Sequence, residues 1–267
     1  YFFKFFFLIF LGLYLKNMKV LVTGAAGFIG SHLVERLLKN NLKVKAFIKY
    51  SSRQDCGWLK NLKKKKAKNV EYFFGDIRDQ DSVDQATKDC EIILNLASMI
   101  SVPYSFNNPQ TFFDINTLGL INIIRSYFNH KKKIKKIVQI SSSEVYGNLI
   151  KNRNNLLLKE SSTLSAESPY AASKIASENF ALSMYRAHGV PISIARPFNT
   201  FGPRQSSRAV IPTIISQLLN NKDYIEIGDV TPKRDFVFVK DTVEGIYRVS
   251  RKCLFGETFN IGTGSDY

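Results

Sequence analysis

Cysteine, histidine and tryptophan are scarce in this chain of 267 residues, which holds three, three and one of them. Cys56, Cys90 and Cys253 are far apart, odd in number and without Cys-x-x-Cys spacing, so they read as buried or free thiols of a reducing cytosol. A disulfide framework and a metal or redox centre are set aside on the same ground. His32, His130 and His188 form no ligand cluster, which argues against a zinc or haem enzyme, and no metal is expected. Acidic residues are also short: 22 Asp and Glu stand against 38 Lys and Arg, a formal charge of +16. Such an excess invites a polyanion. It lies, however, in tracts such as Lys63 to Lys66 and Lys131 to Lys136, set between apolar runs and unaccompanied by a nucleic-acid fold signature. These read as solvated loops and helix ends, and nucleic acid is not an expected partner.

Long apolar runs are equally few. Tyr1 to Leu15 would cover only about 22 Å, at ~1.5 Å per residue, of a hydrocarbon core roughly 30 Å thick. No small-residue cleavage pattern follows it. Residues 1–17 are therefore read as extraneous to the fold, with Met18 as the true start and no membrane association. At the other end, Thr258 to Ile261 reads as a strand with nothing after it to pack against, so the chain is expected to stop before its domain does.

What is present is the material of a large core, 45% hydrophobic residues arranged in alternation. Short β-branched runs, Lys19–Thr23, Lys43–Ile48, Val70–Phe74, Ile92–Leu96, Lys136–Ser141 and Ile192–Arg196, alternate with helical periodicity over Gly27–Asn40, Ser82–Thr87, Asn116–Asn129 and Pro169–His188. That order predicts an α/β fold, a doubly wound parallel sheet of the Rossmann type covered on both faces. After Arg196 the rhythm breaks into Pro- and Gly-punctuated segments, including Pro197, Gly202, Pro203, Pro212, Gly228 and Pro232. Residues 18–196 are thus assigned to a dinucleotide-binding domain, and 197–267 to a smaller, loop-rich and incomplete substrate lobe interleaved with it.

Three glycines at the first strand-to-helix junction, Gly24-x-x-Gly27-Phe28-Ile29-Gly30, suit a turn that brings backbone N–H groups against a pyrophosphate at a helix N-terminus. The second strand lacks the acid that an NAD site offers to the ribose 2′-hydroxyl. It runs instead into Lys49-Tyr50-Ser51-Ser52-Arg53, where Lys49, Ser51, Ser52 and Arg53 could hold a 2′-phosphate. NADP is favoured slightly over NAD.

Tyr170 and Lys174, four apart at a helix start, share one face. An ammonium beside a phenol stabilises the phenolate, so Tyr170 could act as a base while Lys174 also binds the cofactor ribose. The strand ending at Ser141 leads into Ser142-Ser143-Glu144, beyond its carboxyl end, where ligands of such folds lie. Ser142 could share the reacting hydroxyl with Tyr170. Glu144 adds a carboxylate that simple ketone reduction does not need, and suggests removal of a carbon-bound proton.

These motifs, with Asp76-Ile77, Leu96-Ala97-Ser98, Asn116, Tyr146-Gly147 and Arg196-Pro197-Phe198-Asn199-Thr200-Phe201-Gly202-Pro203, resemble the extended short-chain dehydrogenase/reductase family of NAD(P)-dependent nucleotide-sugar epimerases and dehydratases. Gly57-Trp58-Leu59, Val102-Pro103-Tyr104-Ser105, Arg204-Gln205-Ser206 and Arg234-Asp235-Phe236 look like the legionaminic-type GDP- or UDP-N-acetylglucosamine 4,6-dehydratases. The resemblance implies oxidation at C4 with Tyr170 as base, removal of the C5 proton by Glu144, loss of water from C6 and return of hydride to C6. Ser142, Ser143, Glu144, Tyr170 and Lys174 would form the catalytic set. Ser143 stands where the dTDP-glucose branch has Asp and the GDP-mannose branch has Ser. Gly24, Gly27, Phe28, Ile29, Gly30, Ser52, Arg53, Asp76, Ile77, Leu96, Ala97, Ser98, Asn116, Ser141 and Pro197 would line the cofactor with Tyr170 and Lys174. Asn199 and Arg234 would bind the substrate diphosphate, and Arg204 and Ser142 would also touch substrate. A cytoplasmic homodimer is the form the family implies. A 4-epimerase, a UDP-glucuronate decarboxylase and a non-catalytic NAD(P)-binding protein remain the alternatives.

Overall fold

Alternating side chains along the first strand point to two different cores, and that division organises the molecule. A computed structural model describes residues 18–63, 67–131, 133–152, 157–220, 224–229, 231 and 233–267. Residues 1–17, the centre of the first Lys tract, Lys132 and Pro232 lie outside that set. In β1 (Lys19–Thr23), Val20 and Val22 join one apolar cluster while Leu21 joins the other. The same period of two runs through the neighbouring strands.

Seven strands form one parallel sheet in the order β3-β2-β1-β4-β5-β6-β9. They are β1, β2 (Lys43–Lys49), β3 (Val70–Gly75), β4 (Ile92–Asn95), β5 (Lys136–Ile140), β6 (Ile192–Pro197) and β9 (Thr258–Ile261). Their ends fall within one residue of the expected ones, and every residue of β4, β5 and β6 is buried. One face is covered by α1 (Phe28–Lys39), through Leu33, Val34, Leu37 and Leu38, and by α8 (Val239–Arg251), through Val243, Ile246 and Val249. The other face carries α2 (Gln80–Thr87), α5 (Gly119–Asn129) and α6 (Pro169–His188). Each such aliphatic side chain contributes about 1.5–3 kcal/mol when fully buried.

Caps explain the boundaries. α2 begins two residues before the expected Ser82, because the Asp79 carboxylate accepts from the backbone N–H groups of Asp81 and Ser82. α6 starts on Pro169 after the Ser168 cap and stops at Gly189, whose φ of +65° suits glycine. Two short helices, α3 (Val102–Asn107) and α4 (Pro109–Phe113), each opened by a proline, precede a single π turn at Asp114–Leu118 that runs into α5.

The 197–267 segment divides between two places. β7 (Asn199–Phe201) and β8 (Phe236–Phe238) form a separate parallel pair, with α7 (Val210–Leu219) nearby in sequence. α8 and β9 return to the main sheet, where β9 pairs with β6 from Thr258 to Ile261. The segment is richer in helix than its Pro and Gly content predicts. α7 and α8 escape that expectation because their prolines and glycines fall in the first turn or on a packed face, as Gly245 does against Ile261.

Candidate active site at the sheet switch point

Strand order reverses between β1 and β4, which opens a crevice beyond their carboxyl ends. Gly24 turns the chain out of β1 at φ +63°, with its Cα so close to β4 that a Cβ would stand 3.1 Å from the Ala97 nitrogen. Gly30 allows the same approach between α1 and the turn: its Cβ would lie 2.2 Å from the Gly24 carbonyl oxygen. The N-terminus of α1 has neither a side-chain cap nor an acid in its first turn. Its free N–H groups and positive dipole end are open to an anion.

Beneath the turn runs a buried polar ladder that crosses three strands. The Thr23 hydroxyl donates to Asn95 Oδ1 at 2.6 Å and accepts from the Ala97 N–H at 2.9 Å. Asn95 Nδ2 in turn donates to Gln139 Oε1 at 2.6 Å. Each member is satisfied, so the ladder fixes the exits of β1, β4 and β5 relative to one another.

At the exit of β5, Ser141 Oγ is buried without a hydrogen-bond partner among the described residues. Ser142 hydrogen-bonds the Tyr170 phenol and receives the Glu144 backbone N–H at 3.2 Å. Ser143 and Glu144 are half-buried at the start of a 3₁₀ segment, and Glu144 is close enough to act on Tyr170 electrostatically. Burial pushes the Tyr170 phenol up to about 12; the Ser142 hydrogen bond opposes this, and the Glu144 charge adds to it. The expected lowering by Lys174 is therefore not among the influences on Tyr170. Lys174 Nζ donates to the Ile140 carbonyl at 2.9 Å, and burial brings its ammonium down to about 8 against the pull of Glu178.

Asn116 sits in the π turn, almost wholly buried, and does not cap a helix. Its Oδ1 accepts from Ser98 Oγ and the Met99 N–H, and its Nδ2 donates to the Met99 carbonyl and Ser173 Oγ, all within 3.2 Å. With all four positions used, Asn116 locks the β4 exit against α6, one residue from Lys174. π turns of this kind recur at functional sites.

On the outer side, Asp76 holds Arg78 through a bidentate pair at 3.0 and 2.6 Å, and that guanidinium keeps its carboxyl low. Ile77 is buried beneath α5. Leu96, Ala97 and Ser98 form the β4 exit, and Phe28 and Ile29 pack beside the core. Ser52 and Arg53 lie exposed beyond β2. The nearest following acid, Asp55, accepts the Gly57 N–H at 2.9 Å, and the Trp58 N–H reaches the Ala26 carbonyl at 3.3 Å, so this short segment braces the glycine turn.

Pro197 ends β6 in register with Ile261. Asn199 N–H donates to the Asp235 carbonyl, which brings β7 beside Arg234. Arg204 does not join them. Its guanidinium bonds Ser31 and Glu35 of α1.

Arg196 and Glu178 form a centre that motif reading leaves without a role. Arg196 Nε and Nη2 donate to the two Glu178 oxygens at 2.9 and 2.6 Å, and Nη1 donates to the Tyr146 hydroxyl at 2.7 Å. Tyr146 donates to Asn260 Oδ1 at 2.7 Å. Glu178 falls four residues after Lys174, itself four after Tyr170, so this helical repeat was the available signal. Among the described residues no group of His, Cys, Asp and Glu could hold a metal, and no helix is long and apolar enough to cross a membrane.

Known proteins share this architecture. The sequence profile of the GDP-mannose 4,6 dehydratase family matches residues 21–267. The dTDP-D-glucose 4,6-dehydratase of Dictyostelium discoideum is 32% identical over 255 residues, 92% of this chain and 58% of its own length, so the chain spans less than two thirds of that relative. A putative UDP-glucose 4-epimerase of Methanocaldococcus jannaschii is 36% identical over 92% of this chain and 77% of its own. The structure of the dTDP-glucose 4,6-dehydratase DesIV (double mutant) from Streptomyces venezuelae, solved with NAD, superposes with a TM-score of 0.82 at 28% identity, covering 94% of this chain and 77% of that one. The chain belongs to the GDP-mannose 4,6 dehydratase family, among the nucleotide-sugar dehydratases and epimerases of the extended short-chain dehydrogenase/reductase type.

Proposed function

We propose that the protein is a nucleotide-sugar 4,6-dehydratase that converts a nucleoside-diphosphate hexose into its 4-keto-6-deoxy derivative. The observation that carries this reading is Glu144 beside the Ser142–Tyr170 pair, a second base where a ketone reductase or 4-epimerase needs one. A nicotinamide dinucleotide fits the crevice: the uncapped N-terminus of α1 suits its pyrophosphate, and the orphaned Ser141 hydroxyl faces no competing protein partner. When bound it supplies a hydride acceptor for C4 and a hydride donor for C6.

The remaining chemistry belongs to side chains. Tyr170 takes the C4 hydroxyl proton, with Ser142 holding the oxygen. A positive charge brought beside the phenol on cofactor binding would lower it from about 12 toward the working range. Glu144 removes the C5 proton once C4 is a ketone. Over the whole cycle the C6 hydroxyl leaves as water with a proton equivalent to the one Tyr170 takes from C4, Glu144 returns its proton to C5 as hydride reaches C6, and Ser143, nearest in sequence, hydrogen-bonds the departing oxygen without acting as the acid. Asn199 and Arg234, on adjoining strand ends, suit the diphosphate.

NADP over NAD is supported by Lys49, Ser52 and Arg53 exposed after β2 and by Asp55 being occupied as a turn cap. The solved relative named above holds NAD, so comparison of KM for the two cofactors decides the point. The legionaminic-type substrate, a GDP- or UDP-N-acetylglucosamine, belongs to the same proposal, as do the cytoplasmic homodimer and the lack of a nucleic-acid partner. A panel of GDP-, UDP- and dTDP-hexoses, assayed for a 4-keto product, tests the activity. Glu144→Gln is expected to oxidise C4 but to release no water. Undiminished dehydration by that variant would sink the role of Glu144, and C4 inversion alone would favour the epimerase.

A further inference from the structure

Arg204 adopts a left-handed backbone, φ +74°, that non-glycine residues rarely take. Its side chain is correspondingly committed. Nη1 donates to Ser31 Oγ at 3.1 Å and Nη2 to Glu35 Oε1 at 2.6 Å. The preceding carbonyl, of Pro203, lies 3.0 Å from His32 Nε2. Gln205 closes the turn onto the strand before it, N–H to the Gly202 carbonyl at 3.2 Å and Nε2 to the Thr200 carbonyl at 2.9 Å. The turn is therefore one body with β7, and it is fastened to α1 at three successive side chains of one helical face.

That helix is itself anchored from behind. Arg36 donates to Glu244 of α8 at 2.7 Å and stacks on Tyr247 at 4.3 Å from the ring centroid. Ser31, His32 and Glu35 lie within two turns of the helix end proposed for the dinucleotide. β7 carries Asn199 and pairs with β8, next to Arg234, on the side proposed for the sugar nucleotide. A charge pair thus joins the two binding elements.

We infer that Arg204 is a positioning residue and not a substrate ligand: with Glu35 it clamps the Gly202–Gln205 turn to α1 and makes the binding of dinucleotide and nucleoside diphosphate cooperative. The inference takes its two ligands from the proposed function and rests on it to that extent. A ligand that orders one side of the clamp leaves less to order for the second, and linkage makes the gain reciprocal.

Titration calorimetry with UDP, dTDP and GDP, each with and without saturating NAD or NADP, tests this on the wild type, Glu35→Ala, Arg204→Ala and their double variant. The wild type is expected to bind its preferred nucleoside diphosphate about fivefold or more tightly once the dinucleotide is present. Each single variant should lose that gain, the double variant should lose no more, and affinity without dinucleotide should stay within about twofold of wild type. The charge-reversed pair, Glu35→Arg with Arg204→Glu, should restore part of the gain, which a merely structural role would not. Glu35→Gln supplies the measurement if the alanine variants unfold. Weaker nucleoside diphosphate binding by Arg204→Ala in the absence of dinucleotide, with Glu35→Ala intact, would overturn the inference and make Arg204 a direct ligand. So would full cooperativity in Glu35→Gln. A wild type that binds neither ligand class fails at the functional reading itself, and the clamp falls with it.

Discussion

The two sides of the crevice are built on opposite terms. On the β5–β6–α6 side, Tyr170, Lys174, Glu178 and Arg196 are all buried, and the hydrogen bonds of Tyr146, Asn116 and Ile140 hold them. On the β7–β8 side, α7 has no buried residue, and Ile215 and Leu218 are 51% and 55% exposed. The groups proposed to move protons are thus held by the protein's own hydrogen bonds, as geometry-sensitive chemistry requires. The 197–267 segment lacks that enclosure along α7. Enclosure is concentrated around the groups proposed for catalysis, and exposure in the segment proposed to belong to the substrate lobe.

The largest break in this contrast is expected in activity. Tyr170→Phe, which keeps the ring packed against Phe112, should cost on the order of 10²–10⁴ in kcat with little change in melting temperature. The largest break in stability should come from Glu178→Ala, which leaves the Arg196 guanidinium buried and unpaired, at about 3–5 kcal/mol in denaturant unfolding. By contrast, Ile215→Ser and Leu218→Ser on α7 should each change stability by no more than about 0.5 kcal/mol. A comparable loss from α7 would erase the distinction between the two sides.

A finer test uses pH. Burial holds Lys174 and Lys136 at about 8 against an ordinary 10.5. Between those values the unfolded chain binds more protons than the folded one, so these groups make stability rise with pH. Tyr170, raised to about 12 from 10, keeps its proton in the folded state while the unfolded phenol ionises, and stability then falls as pH climbs from 10 toward 12. Urea midpoints measured from pH 8 to 10 should rise less steeply in Lys174→Met than in wild type. Equal slopes would mean that the ammonium is not desolvated. A modest effect, confined to one cofactor, is expected at Arg53→Ala, which should raise KM for NADP severalfold and leave KM for NAD unchanged.

Legibility in the sequence followed the same divide. Strands with uninterrupted β-branched runs announced themselves to within a residue, because full burial on both faces leaves no room for polar positions. The glycine turn was equally visible, since it needs a residue type that little else can replace, and Tyr170, Lys174 and Glu144, singled out by spacing, gather at the exit of β5. Three features were hidden for physical reasons. Arg204 looks like a substrate-binding residue until the fold brings Glu35, 169 positions earlier, beside it. Glu178 has no motif role and Arg196 reads only as the end of a strand, until the fold brings the two together, both buried. α8 is hidden by the Pro- and Gly-punctuated rhythm before it, and its own Gly245 fits because Ile261 fills the space a side chain would take. Pairings between distant positions carry no local periodicity, and their partners appear only in three dimensions.

The hydrogen bond from Tyr146 to Asn260 links positions 114 apart, and it sets an order of events during synthesis. Six parallel strands and the helix bearing Tyr170 can collapse as soon as Pro197 has emerged, yet Asn260 reaches the Tyr146 hydroxyl only some 60 residues later. Closing so long a loop is slow relative to the local contacts that precede it. Synthesis order therefore allows a stage in which Arg196 is already paired with Glu178 while Tyr146 still lacks its Asn260 partner. Such a stage exposes the β6 edge until β9 covers it. Until then that edge offers unpaired backbone groups to which another strand could add.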